Sequence, residues 1–104
     1  MNDGLDFSDY QYEAYQFARY KSAHYPYLAL GEECGEVQGL VAKSLRKHGN
    51  LSGVNKYELE KELGDVLWNI AAIATEFSLD LEEIAEKNLK KLQARKAAGT
   101  IVER

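Results

Sequence analysis

The sequence predicts an all-α chain, a four-helix antiparallel bundle-like subunit, and three observations carry that expectation. Apolar residues recur at three- and four-residue spacing along most of the chain. The single proline, Pro26, stands where a helix would start rather than inside one. Residues that cap helices stand three places ahead of Gln or Glu at Ser8–Gln11, Asn55–Glu58 and Asp80–Glu83.

Each element follows from those signals. Ser8 with Gln11 opens a first helix over about residues 8–22. Pro26 sits in the first turn of a second, running over 26–48. Gly49, Asn50, Ser52 and Gly53 form the one evident loop. Asn55 with Glu58 opens a third helix over 55–78. Asp80 with Glu83 opens a fourth over 81–98, which Gly99 ends. Short connections make neighbours antiparallel. At 104 residues, the whole chain, 1–104, reads as a single domain, and one so small often gains stability from copies of itself.

Composition excludes several classes of function. Net charge is −4, from 13 basic and 17 acidic side chains, with no dominant basic block, so a nucleic-acid polymer is not the expected partner. Cys34 is the only cysteine, which excludes an intrachain disulfide and points to a reducing, cytoplasmic setting. The start Met1-Asn2-Asp3-Gly4 lacks the basic and apolar regions of a signal peptide. No window approaches the roughly 20 apolar residues of a membrane span.

Unrolled at about 100° per residue, two helices carry acid where their apolar stripes end. In the second helix the stripe is Leu30, Cys34, Val37, Val41 and Leu45; Glu33 lies inside its edge, Glu36 beside it, and Glu32 is expected on the opposite, solvent side. In the third it is Leu59, Leu63, Val66, Ile70, Ala74 and Phe77, with Glu62 and Asp65 on the matching edge. Antiparallel packing would bring these four carboxylates to one wall of the core. Converging carboxylates repel, and a divalent cation resolves the conflict. Oxygen donors are hard ligands, which favour Mg²⁺ or Mn²⁺ over Zn²⁺. A di-iron bundle would need Glu-x-x-His pairs, and neither His24 nor His48 stands three residues after a Glu. A lone helical Glu is ordinarily solvated or paired with a Lys one turn on; two matched pairs at stripe edges are less readily explained that way, although spacing alone leaves that reading open.

The fourth helix has the stripe Leu81, Ile84, Ala85, Leu89 and Leu92, interrupted by Asn88 and flanked by Lys87, Lys91 and Arg95. Such donors beside a metal suit the oxygens of a polyphosphate. Lys43, Arg46 and Lys47 offer a second basic group, though a charge run at a helix end is usually solvated. Asn69 extends the Glu62–Asp65 side and is expected to touch substrate. Trp68 falls nearly opposite the apolar stripe and is expected against another subunit. Tyr10, Tyr12, Tyr15, Phe17, Tyr20, Tyr25 and Tyr27 read first as filling for cores and interfaces.

Together these motifs resemble the MazG-like nucleotide pyrophosphohydrolases of the all-α NTP pyrophosphatase superfamily. The second helix contains Gly31-Glu32-Glu33-Cys34-Gly35-Glu36-Val37, similar to the family's Glu-x-x-Glu segment. The third reads Glu62-Leu63-Gly64-Asp65-Val66-Leu67-Trp68, similar to its Glu-x-x-Asp-Val-Leu segment, and the fourth contains Asn88, Lys91, Leu92 and Arg95 in an Asn-x-x-Lys-Leu-x-x-Arg pattern. Asn69 departs from it, standing where an aromatic is common. The resemblance implies Mg²⁺-dependent hydrolysis of a (deoxy)nucleoside triphosphate to monophosphate and pyrophosphate, with Mn²⁺ as a substitute metal, in a dimer or a tetramer of dimers. It implies Glu33, Glu36, Glu62 and Asp65 as metal ligands, with Glu33 or Glu36 orienting the attacking water. Asn88, Lys91, Arg95, Asn69 and Lys87 would bind substrate. Two other readings share the same acidic quartet: a non-catalytic helical interaction module, and a pyrophosphohydrolase of a modified nucleotide such as phosphoribosyl-ATP.

Overall fold

The computed structural model describes residues 4–100, so all but Gly4 of the Met1–Gly4 start lies outside the described residues. Its elements are α1 (Phe7–Tyr15), α2 (Tyr25–His48), a single 3₁₀ turn (Leu51–Gly53), α3 (Lys56–Glu76) and α4 (Leu81–Ala97). All are helical, as the apolar spacing implies. No described helix is long and apolar enough to cross a membrane.

Three of the four helices start where sequence places them. Pro26 occupies the first turn of α2 and is fully buried. Asn55 caps α3 through Glu58 N at 3.0 Å. Asp80 caps α4, although its bond goes to Glu82 N, at 2.8 Å, rather than to Glu83. The first helix differs at both ends. Its cap is Asp6, which accepts from Asp9 N at 2.8 Å. Ser8 instead donates to Asp80 Oδ1 at 2.9 Å. Gln11 is no capping partner: its Nε2 donates to Thr75 Oγ1 at 3.1 Å and Leu79 O at 2.8 Å, and its Oε1 accepts from Leu81 N at 2.8 Å. The helix stops at Tyr15, short of Ser22, because three successive amides from Gln16 to Ala18 bond three residues back and tighten the chain out of the α-helix.

Helices α2 and α3 form the central hairpin. Tyr27 meets Phe77 edge-on at its open end, with ring centroids 5.9 Å apart. At its closed end, buried Ser44 donates to Asn50 O at 2.8 Å and accepts from Gly53 N at 2.9 Å. The chain passes so close there that a Cβ on Gly53 would overlap the His48 ring. Gly49 ends α2 in the left-handed region, at φ 70°.

Helix α1 packs on α3 and on the start of α4. The core is mostly alanine: Ala14, Ala29, Ala71, Ala72 and Ala74, with Leu81. Since α3 is gripped by α2 on one side and α1 on another, its burial does not follow the single expected stripe. Leu63, Ile70 and Phe77 stay exposed while Asn69, Ala71 and Ala72 are buried. Trp68, expected against another subunit, packs instead on this chain's own α1: its Nε1 donates to Ala14 O at 3.0 Å. On α4 only Leu81 is buried, and Ile84, Leu89 and Leu92 are exposed. The radius of gyration is 16.6 Å, against about 13 Å for a compact chain of this length. The subunit is thus more open than a closed bundle.

Candidate metal centre

The α2–α3 hairpin brings the four predicted carboxylates together. Oxygens of Glu33, Glu62 and Asp65 lie within 4.8 Å of one another, and so do oxygens of Glu32, Glu33 and Glu36. Glu33 belongs to both groups and joins them. Glu32, expected to face away, turns its carboxylate toward Glu36, because residues four apart differ by only about 40° around a helix. It remains exposed, as do Glu36 and Asp65, whereas Glu33 and Glu62 are half-buried.

The electrostatics of this cluster are unfavourable for bare carboxylates. Burial pushes the Glu33 carboxyl above its ordinary range, and the charges of Glu36 and Asp65 push it further. The Glu36 carboxyl is raised first by a hydrogen bond with Glu62 and then by that group's charge. Glu33 Oε2 and Glu62 Oε2 are buried and accept no hydrogen bond. Orphaned buried acceptors are costly. Convergent oxygen donors, two of them buried without a partner, suit a hard divalent cation. The Tyr10 hydroxyl on α1 is held above its ordinary value by burial and then by the Asp65 charge.

Two features flank the carboxylates along the hairpin. Toward its closed end, a groove of about 260 Å³ is lined by Lys43, Lys47, His48, Ser44, Asn55 and Glu58. Lys43 lies seven residues, or two turns, beyond Glu36 on the same side of α2. Toward the open end, buried Asn69 follows Asp65 by one turn and donates from Nδ2 to Asp65 O at 2.9 Å. Beyond it, Tyr15 and Tyr20 both donate to Glu76 Oε2. Tyr20 stacks on Tyr25 at 5.7 Å and meets Trp68 edge-on at 6.4 Å. With Arg19, Lys21 and Ser22 these two tyrosines line an open pocket of about 570 Å³.

The fourth helix contributes nothing to the cluster within one chain. Lys87, Asn88, Lys91 and Arg95 are all exposed, and among the described residues no hydrogen bond joins them to the carboxylates. The groove at Lys43 and Lys47 had a trace in the sequence as a basic run, and its enclosing turn as the Gly49–Gly53 loop; the Ser44 hydrogen bonds that hold that turn had none.

The "Gene 37 protein" of Mycobacterium phage L5 is 36% identical to the chain, over 86% of this chain and 91% of that protein. No solved structure matches. Residues 22–99 match the family described as the MazG nucleotide pyrophosphohydrolase domain, a span that holds α2, α3 and α4 and every carboxylate of the centre. The chain belongs to the MazG nucleotide pyrophosphohydrolase family.

Proposed function

We propose that the protein hydrolyses (deoxy)nucleoside triphosphates to the monophosphate and pyrophosphate, with Mg²⁺ held by Glu33, Glu36, Glu62 and Asp65. The observation that carries this reading is the pair of buried, partnerless oxygens on Glu33 and Glu62 at the centre of the acidic cluster. Family membership supplies the class of substrate. Held by those four carboxylates, Mg²⁺ would supply charge neutralisation for the phosphate chain, and Mn²⁺ has the same preference for oxygen.

The chain's own groups do the rest. Glu33 or Glu36 orients the attacking water and takes its proton, since both stand within the carboxylate cluster beside the reacting phosphate. Lys87, Asn88, Lys91 and Arg95 hold the departing pyrophosphate, and because α4 stands clear of its own cluster, they do so by closing over a site that self-association completes. The exposed Leu63 and Ile70 on α3, Phe77 at its C-terminal cap, and Leu89 and Leu92 on α4 support a dimer or tetramer. A cytoplasmic setting fits the substrate.

A panel of ribo- and deoxyribonucleoside triphosphates with Mg²⁺ or Mn²⁺, with products identified, tests the reading. Monophosphate and pyrophosphate are expected. Diphosphate and phosphate, or no turnover on the whole panel, would overturn it. The same panel extended to phosphoribosyl-ATP separates a modified-nucleotide enzyme, and silence throughout leaves a helical interaction module.

A further inference from the structure

The groove at the closed end of the α2–α3 hairpin leads away from the carboxylate cluster along both of its walls. On α2, Leu40 lines it one turn past Glu36, and Lys43 and Lys47 continue the same stripe, all four residues falling within about 60° around the helix. On α3, Glu58 lines it one turn before Glu62. One turn is about 5.4 Å of helix axis, so the groove begins beside the cluster.

Its shape is fixed by the chain. Ser44 is buried, and its hydroxyl ties Asn50 O and Gly53 N to α2. Glycine at 53 lets the turn close against the His48 ring, where a Cβ would collide. The volume of about 260 Å³ lies below the roughly 300–1,000 Å³ of pockets that enclose a drug-sized ligand. It suits one end of a nucleotide rather than the whole.

Its charge is unmatched. Among the described residues no hydrogen bond or ion pair engages the side chains of Lys43, Lys47 or His48, and Glu58 pairs with neither lysine. Two ammonium groups one turn apart on a helix repel. The negative end of the α2 dipole accounts for Lys47 and His48, which stand in its last turn, but not for Lys43, which stands before it. An anion with several oxygens takes both donors and removes the repulsion, and a phosphate chain is such an anion. Long side chains on a helix lean toward its N-terminus, which for both lysines is the direction of Glu36.

We propose that this groove holds the terminal phosphates of the triphosphate, with Lys43 and Lys47 as their binding residues and the α-phosphate at the carboxylates. This rests on the nucleotide and cation reading of the centre. The departing pyrophosphate then has donors on the hairpin itself, in addition to those of α4.

Steady-state kinetics on a triphosphate that the parent chain turns over, with calorimetry of inorganic pyrophosphate and of the product monophosphate in Mg²⁺, tests it in Lys43→Gln, Lys47→Gln and the double variant. The double variant is expected to raise KM and to weaken pyrophosphate binding by about tenfold or more, with monophosphate affinity within about twofold of the parent. Both lysines are exposed, so the melting temperature holds. Lys43→Arg with Lys47→Arg keeps both charges and stays within a few-fold of the parent in KM and pyrophosphate affinity. Unchanged KM and pyrophosphate affinity in the double Gln variant overturn the inference and leave the metal site standing. Weaker pyrophosphate binding at an unchanged KM also overturns it, since the groove then takes a free anion and not the substrate. So does an equal loss of monophosphate affinity, which marks a general effect on the site. A parent chain that turns over no triphosphate overturns the nucleotide reading itself.

Discussion

Glu33 stands in both acidic groups, so its protonation decides whether the cluster is a set of hydrogen-bonded acids or a cation site. Its carboxyl and that of Glu36 are raised. A carboxyl raised on folding stabilises the fold below its unfolded pKa and loses that contribution as pH rises through the folded value. The metal-free protein therefore loses stability at this site as pH climbs out of the ordinary carboxylate range. Mg²⁺ needs the deprotonated form, so the gap in melting temperature between Mg²⁺-loaded and chelated protein is expected to widen over that climb. A gap that is constant from pH 4 to 8 would contradict this. Replacement of a ligand is the sharper test: Glu36→Gln or Asp65→Asn should lower metal-dependent pyrophosphate release by ~100-fold or more, with helical circular dichroism retained. The convergence of these carboxylates was legible in the sequence because i, i+3 pairs on matching stripe edges meet when two helices pack antiparallel. Glu32 is exposed, as expected, but its closeness to Glu36 was missed because its angle was judged against the stripe rather than against Glu36. The enclosure of Asn69 depends on what α1 and α2 place over it, which no spacing on α3 encodes.

At the scale of the element, the ends of helices and their side-chain staples decide where α1 and α4 sit. Gln11 was read as a local cap, and its pattern with Ser8 fits one; the structure spends its amide on Thr75, Leu79 and Leu81, all more than 60 residues away. A sequence window sees only the nearer partner. Gln11→Leu should destabilise the fold by ~1–3 kcal/mol through the stranded Leu79 carbonyl and Leu81 amide, and hydrogen exchange at Leu81 should quicken more than at Ala72. The irregular segment after α1 is held differently. Two phenols, Tyr15 and Tyr20, donate to one carboxylate, and the Tyr20 bond holds the Glu76 carboxyl below its ordinary range, with Tyr15 adding to it. A carboxyl lowered on folding contributes stability above its unfolded pKa and loses it as pH falls through the folded value. Acid unfolding should thus begin at this node, and Glu76→Gln should flatten the acid limb of the melting-temperature profile. An unchanged acid limb in that variant would show that the two phenols hold the segment without the charge.

The whole molecule is open because too little of its apolar surface is covered. Beyond its alanine core the chain leaves Leu63, Ile70 and Phe77 exposed at seven-residue spacing on α3, at 50%, 37% and 61%. Seven-residue spacing keeps them on one face of the helix, and Tyr27, in edge contact with Phe77, extends that face onto α2. The expected stripe of α3 was therefore partly right as chemistry and wrong as address: its heptad members are apolar, yet they do not face this chain's own core. Periodicity reports that a face is to be buried and is silent on whether the cover comes from the same chain. If a second copy covers it, burial of each such side chain is worth about 1.5–3 kcal/mol. Light scattering should give a mass at a multiple of 11.7 kDa for the parent chain. Ile70→Lys should weaken association at least tenfold, and Ile70→Lys with Phe77→Asp should leave a species of 11.7 kDa. Metal affinity of the double variant should stay near that of the parent, since its carboxylates come from a single hairpin. Its turnover should fall if, as proposed, α4 closes over the site within the assembly. A parent chain that is monomeric at micromolar concentration, or a monomeric variant with full turnover, would separate the face from the function and return the completion of the site to α4 of the same chain.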